Sequence, residues 1–191
     1  MRIFTMILNE NRILGIDPGT NILGFGVLEL NGSQARVLDC NVIHLKNEVD
    51  DQSKLKEIFL QIQEIIETYH TGILSIELPF YGKNAQSMLK LGRAQGVAIA
   101  AAMVMGVKIY EFSAKRIKKA VTGNGNASKE QVADMVSRLL NYKIEVRYLD
   151  ASDALATAYC YSCQANSAIG PSTKAKNWKS FIKANPDKII G

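Results

Sequence analysis

The chain has 191 residues, 47 % apolar and 21 % charged, the make-up of one globular domain or one domain plus a tail rather than of a disordered chain. No apolar run reaches the roughly 18 residues of a membrane span, and Asn9 interrupts the N-terminal stretch before a signal-peptide core can form. Cys40, Cys160 and Cys163, an odd and low number, point to a reducing, cytoplasmic setting without a disulfide framework.

The apolar run at 12–16 ends at Asp17 and a Pro-Gly-Thr turn, the pattern of a buried strand. Residues 22–30 and 34–45 read as two further strands around the hairpin signal Asn31-Gly32, which predicts an antiparallel start. Over 51–70 the period changes: Leu55, Ile58, Phe59, Ile62, Ile65, Ile66 and Tyr69 fall on one helical face, with Gly72 as the expected stop. Residues 73–77 form a strand closed by Glu77. A helix over 84–105, rich in Gly and Ala, and a strand over 107–112 follow. Ser113 and Ser128 are N-cap candidates for helices at 114–121 and 129–140, and a last helix spans about 150–163. A hairpin followed by β/α alternation predicts an α/β plan with a mixed five-stranded sheet flanked by helices.

The net charge of +5 is unevenly spread. Residues 1–107 carry nine basic and eleven acidic side chains, 108–191 carry fourteen and seven, and the stretch from Lys83 to Lys119 sets eight cations against Glu111 alone. Such a segment suits a polyanion partner, though a solvated lysine-rich face would carry the same charges.

Four acids stand out. Asp17 and Glu77 each close an apolar strand, and Asp150 and Asp153 open an apolar helix on one face. Singly, each has a structural reading as turn former, N-cap or helix-dipole partner. Together, in a basic protein, they favour a site for hard divalent cations, which take oxygen ligands, and a pair of such ions serves phosphoryl transfer. The pair Cys160 and Cys163 lacks the further ligands zinc needs and reads as core.

The segments ILGIDPGTNILGFGVLE, SIELPFYGKNAQSMLKLGRAQGVAIAAA, FSAKRIKKAVTGNGNASKEQV and LDASDALATAYC resemble, in order and spacing, the RuvC family of Holliday-junction resolvases, from about 12 to 163. The resemblance implies a ribonuclease H-like fold in a homodimer that nicks four-way DNA junctions symmetrically during recombination and repair. Cutting would need Mg2+, with two ions per site and Mn2+ as a substitute, and would leave 5′-phosphate and 3′-hydroxyl ends. It further implies Asp17, Glu77, Asp150 and Asp153 as the metal-holding catalytic acids, and Phe80 as an aromatic against unpaired bases at the junction centre. Lys118 and Lys129 would lie on the DNA backbone, joined among the DNA-binding residues by Lys83, Lys90 and Arg93. Gly92 and Gly96 would sit in the dimer helix, and the RuvA–RuvB branch-migration complex would be a partner. On this reading residues 1–11 are an N-terminal extension, 12–165 the nuclease domain and 166–191 a polar basic tail. GIDPGT also resembles the phosphate loop of actin-like ATPases. An RNA-end nuclease of the same fold, or an inactive DNA-binding module, would share parts of the same pattern.

Overall fold

The computed structural model describes residues 7–79, 84–144 and 149–169. Phe80, Lys83 and the tail from 170 onward lie outside them. The elements are β1 (Asn9–Asp17), β2 (Ile22–Asn31), β3 (Gln34–His44), α1 (Asp51–Tyr69), β4 (Thr71–Glu77), α2 (Ala85–Val104), β5 (Lys108–Phe112), α3 (Ala114–Thr122), α4 (Lys129–Leu139) and α5 (Leu149–Ile169). They build one five-stranded sheet in the order β3-β2-β1-β4-β5. β1–β2 and β2–β3 pair antiparallel, while β1–β4 and β4–β5 pair parallel, so the sheet is mixed as the element order predicts.

Side chains alternate across a strand, so each strand feeds two cores. Leu14, Ile16, Leu23, Phe25 and Val27 face one way and pack against Ile58, Ile62 and Ile66 of α1 and the alanines of α2. Ile13, Leu28, Ile73 and Phe112 face the other way, under α3, α4 and α5. By the same alternation Ile13-Gly15-Asp17 of β1 and Ile73-Ser75-Glu77 of β4 each present an acid on the α5 side of the sheet.

Three boundaries differ from the sequence reading for identifiable reasons. α1 stops at His70, which itself adopts the left-handed conformation (φ 52°); Gly72 lies inside β4, where its missing side chain clears the backbone of Asn9. β1 starts at Asn9, since the Asn9 N–H donates to the His70 carbonyl (2.8 Å) and ties residues 9–11 to the sheet. α5 continues past Cys163 to Ile169, because nothing in the polar run Gln164-Ala165-Asn166 breaks a helix. Ser113 occupies an N-cap position but its side chain makes no capping bond, whereas Ser128 forms a full capping box with Gln131. Cys160 is buried in the α5-side core, and Cys40, Cys160 and Cys163 are all unbridged. No helix among the described residues is long and apolar enough to cross a membrane.

Candidate active site

Ile16 of β1 pairs in parallel with Ile76 of β4, so the next residues, Asp17 and Glu77, emerge side by side at the strand ends. α5 supplies the other two acids by lying unusually close to the sheet. A Cβ built on Gly24 would sit 2.0 Å from the Asp150 carbonyl oxygen, and one on Gly15 would sit 2.1 Å from that of Ala154. Only glycine permits this approach. The helix is also pinned by the Ser75 hydroxyl, which donates to the Thr157 carbonyl (2.7 Å, buried). Asp17, Asp150 and Asp153 consequently offer carboxylate oxygens that all lie within 4.8 Å of one another. Glu77 stands outside that triplet but shares with Asp17 and Asp153 a cleft of about 300 Å³, walled by Ala114, Ile117, Lys118, Lys129 and Val132.

Crowded, half-buried carboxylates resist ionisation. Burial first, and then the charges of Glu77 and Asp153, push the Asp17 carboxyl well above its ordinary range. Burial and the Asp153 charge likewise raise Glu77. Burial raises Asp153 against the opposing pull of Lys129, whose ammonium lies 2.7 Å from Asp153 Oδ2 and 3.8 Å from Asp150 Oδ1. Burial works against the charge on Lys129, but its bond to Asp153 and the nearby carboxylates prevail and hold it protonated to higher pH. A group of oxygen donors that carries more negative charge than its neighbouring lysine neutralises is suited to a hard divalent cation.

The other expected residues divide. Lys118 lines the acid cleft and donates to the Ala127 carbonyl (2.8 Å). Lys129 is set by the capping box at the start of α4 and points into the acids. Lys90 and Arg93 lie away from that cleft, on the exposed flank of α2, where Lys90 pairs with Asp51 of α1 (3.2 Å). The small residues of α2 separate by face. Ala94, Ala98, Ala101 and Ala102 are buried against the protein's own core, while Gly92 and Gly96 are open, with nothing within 4 Å of a built Cβ. Leu89 (65 % exposed) and Val104 (74 %) extend that outer face.

Sequence reasoning did not single out Gly15, Gly24 or Ser75, which set the depth of α5. Their signal is a small residue inside an apolar strand: Gly15 and Ser75 stand two positions before Asp17 and Glu77, and Gly24 lies within β2.

Comparison with known proteins gives the chain a family and its fold a solved counterpart. A family model described as crossover junction endodeoxyribonuclease RuvC matches residues 13–161. The chain is 51 % identical to the crossover junction endodeoxyribonuclease RuvC of Cytophaga hutchinsonii over 178 residues, 93 % of this chain and 87 % of that one. It is 46 % identical to the Bacteroides fragilis protein of the same name over 184 residues, 95 % and 97 % of the two chains. The solved Thermus thermophilus RuvC superposes with a TM-score of 0.74 at 29 % identity, covering 82 % of this chain and 96 % of that chain. The same protein in complex with Holliday junction substrate gives 0.76 at the same identity and coverage.

Proposed function

The chain belongs to the RuvC family of crossover junction endodeoxyribonucleases, and on that footing we propose that its four clustered acids are the metal-holding catalytic group with which it cuts the four-way DNA junctions it resolves. The observation that carries this reading is the meeting of Asp17, Asp150 and Asp153 within 4.8 Å beside Glu77, at the end of a sheet in a net basic chain.

Asp17, Glu77, Asp150 and Asp153 would hold Mg2+, two ions per site, with Mn2+ able to replace them. Such ions, when bound, polarise the scissile phosphate and lower the pKa of an attacking water. The chain's own groups do the rest. Lys118 and Lys129 border the cleft and hold the phosphodiester by charge, while the carboxylates keep it from settling without a counterion. The walls Ile117 and Val132 exclude bulk water from one side and strengthen these interactions. Attack by water with departure of the 3′ oxygen leaves ligatable 5′-phosphate and 3′-hydroxyl ends. Phe80, which matches the family's aromatic at the junction centre, would stack on an unpaired base, a contact worth roughly 1–3 kcal/mol. Within the chain, the nuclease domain takes in β1 through α5, Asn9 to Ile169, wider at both ends than the 12–165 read from the sequence. The enzyme acts in the cytoplasm, alongside the RuvA–RuvB motor.

The discriminating experiment offers the purified protein a synthetic four-way junction, linear duplex, structured RNA and ATP, each with Mg2+ and with chelator. Paired, ligatable nicks on the junction alone, lost in chelator, are expected. ATP hydrolysis without cutting, or attack on RNA ends, would replace this reading with one of its rivals; nicking that persists in chelator would remove the metal from it.

Paired nicks need two sites related by a twofold axis. The outer face of α2, with Gly92 and Gly96 open and Leu89 exposed, is the surface we assign to the second copy. Gly96→Leu fills the space through which two helices approach. It is expected to shift the sedimentation of the micromolar protein from dimer to monomer while leaving the monomer's melting temperature within a few degrees, since a Cβ at this position meets nothing in its own chain. A variant that remains fully dimeric would place the interface elsewhere.

A further inference from the structure

A second feature of the surface lies at the loop that follows Asp17, on the α1–α2 side of the sheet, and is not part of the acid cleft. The first turns of α1, the flank of α2 and the loop after Asp17 enclose a notch with an apolar floor of Leu45, Leu55 and Ala94 and a cationic rim of Lys54, Lys90 and Arg93. Lys54 reaches across to that loop, its ammonium donating to the Thr20 carbonyl (3.4 Å) and the Asn21 side chain (3.2 Å). Lys90 is partly neutralised by Asp51, with both side chains 52 % exposed. Arg93 is exposed at the same rim.

The placement restricts what such a notch can take. Consecutive Cα atoms are about 3.8 Å apart, so Thr20 lies at most about 11 Å from Asp17 along the backbone. A strand that holds a phosphate at the acids and runs toward that loop would bring a neighbouring phosphate to this rim. The rim offers cations for phosphate, and the floor of Leu45, Leu55 and Ala94 has no polar group that would read a base edge; the notch, about 30 Å³, is too shallow to enclose a sugar, so a backbone would lie across it with a phosphate at the rim. We propose that this notch is a backbone subsite for the cleaved strand. In it Lys54 and Arg93 hold a phosphate within about two positions of the scissile one, and Asp51 withholds Lys90 until DNA displaces it. This rests on the junction-nuclease reading and adds to it Lys54, Asp51 and a position along the strand.

The role of Asp51 makes the test two-sided. Binding of a fluorescent four-way junction in Ca2+ is measured across a range of salt. Lys54→Met, which keeps the aliphatic stem, is expected to weaken binding up to about fivefold and to flatten the log–log salt dependence by about 1. Lys54→Arg keeps the charge and restores both. Asp51→Asn is expected to bind more tightly than the wild type, because it removes an anion and frees a lysine. Junctions with one neutral methylphosphonate then locate the contact: at a single position within about two phosphates of the cut, wild type loses affinity and Lys54→Met loses no more. An unchanged salt slope in Lys54→Met, or an equal loss at every neutralised phosphate, overturns the subsite, as does weaker binding by Asp51→Asn. Should the wild type still cut junctions in that case, the nuclease reading stands and only the subsite falls. A wild type that neither binds nor cuts junctions removes both.

Discussion

Asp17→Asn is expected to lower junction cleavage by three orders of magnitude or more and, at the same time, to raise the melting temperature of the metal-free protein. The first effect follows from removing one of the three converging carboxylates, and with it charge stabilisation in the transition state. The second follows from the sign of the Asp17 shift. Its folded pKa is raised, by burial first and then by Glu77 and Asp153. Below the unfolded carboxyl's pKa of about 3.9 both states are protonated and the group contributes nothing. As pH rises from there toward the raised folded value, the unfolded chain ionises first, and the fold loses stability until that value is passed. At neutral pH the metal-free wild type thus carries a penalty that the uncharged amide lacks. A gain of at least about 2 °C in chelator corresponds to roughly 1 kcal/mol in a domain of this size. Added Mg2+ should reverse the order, since only a chain that binds the ion gains stability from it. Junction binding should remain, because the contacts assigned to Lys118 and Lys129 survive. Scanning calorimetry with and without Mg2+ and a single-turnover cutting assay check the two halves. Full cleavage by Asp17→Asn would take Asp17 out of the catalytic group, and a lower melting temperature in chelator would show that its carboxylate is not under electrostatic strain.

The second large effect is expected at Gly24. The Cβ of Gly24→Ala would fall 2.0 Å from the Asp150 carbonyl oxygen and 2.4 Å from its carbonyl carbon. Those are backbone atoms, which cannot escape by changing rotamer, so α5 itself must move. Overpacking of a rigid contact typically costs about 1–3 kcal/mol, which in a domain of this size lowers the melting temperature by roughly 2–12 °C. The functional loss should exceed what instability explains, because the shifted turn carries Asp150 and Asp153. A misplacement of about 1 Å at a reacting centre can cost about a hundredfold. Cleavage by the folded fraction, measured well below its melting temperature, should therefore fall by roughly that factor. A Gly24→Ala protein with wild-type melting and wild-type cutting would mean that α5 does not depend on this approach.

Both predictions turn on the same geometric fact, and it marks how far the sequence can be read. The acids themselves were legible: Asp17 and Glu77 end apolar runs, and Asp150 and Asp153 share a helix face, so each had a reason to be noticed from local pattern alone. The antiparallel start was legible too, from a hairpin that turns at Gly32 (φ 63°) and Ser33. Lys129 was expected on the DNA backbone; the structure adds that it lies among the carboxylates, 2.7 Å from Asp153. Nothing in the spacing of residues 129 and 153 encodes that contact, which arises because α4 and α5 share a core around Val132, Val136 and Leu155. Likewise α2 read as one stripe of small residues, but packing divides it into a buried alanine face and an open glycine face.

The sequence by itself determined the elements, the family, and which acids stand at their ends. These follow from periodicities of two and 3.6 residues and from four motifs, all of them written in neighbouring positions. Only the tertiary structure decided that the acids meet. Asp17 and Glu77 become neighbours through the parallel pairing of β1 with β4, a contact between residues 60 positions apart in the chain. Asp150 and Asp153 reach them because Gly15 and Gly24 let a helix lie against bare backbone. Pairing across such separations and close approach of one element to another are properties of the assembled layers, so no local pattern carries them.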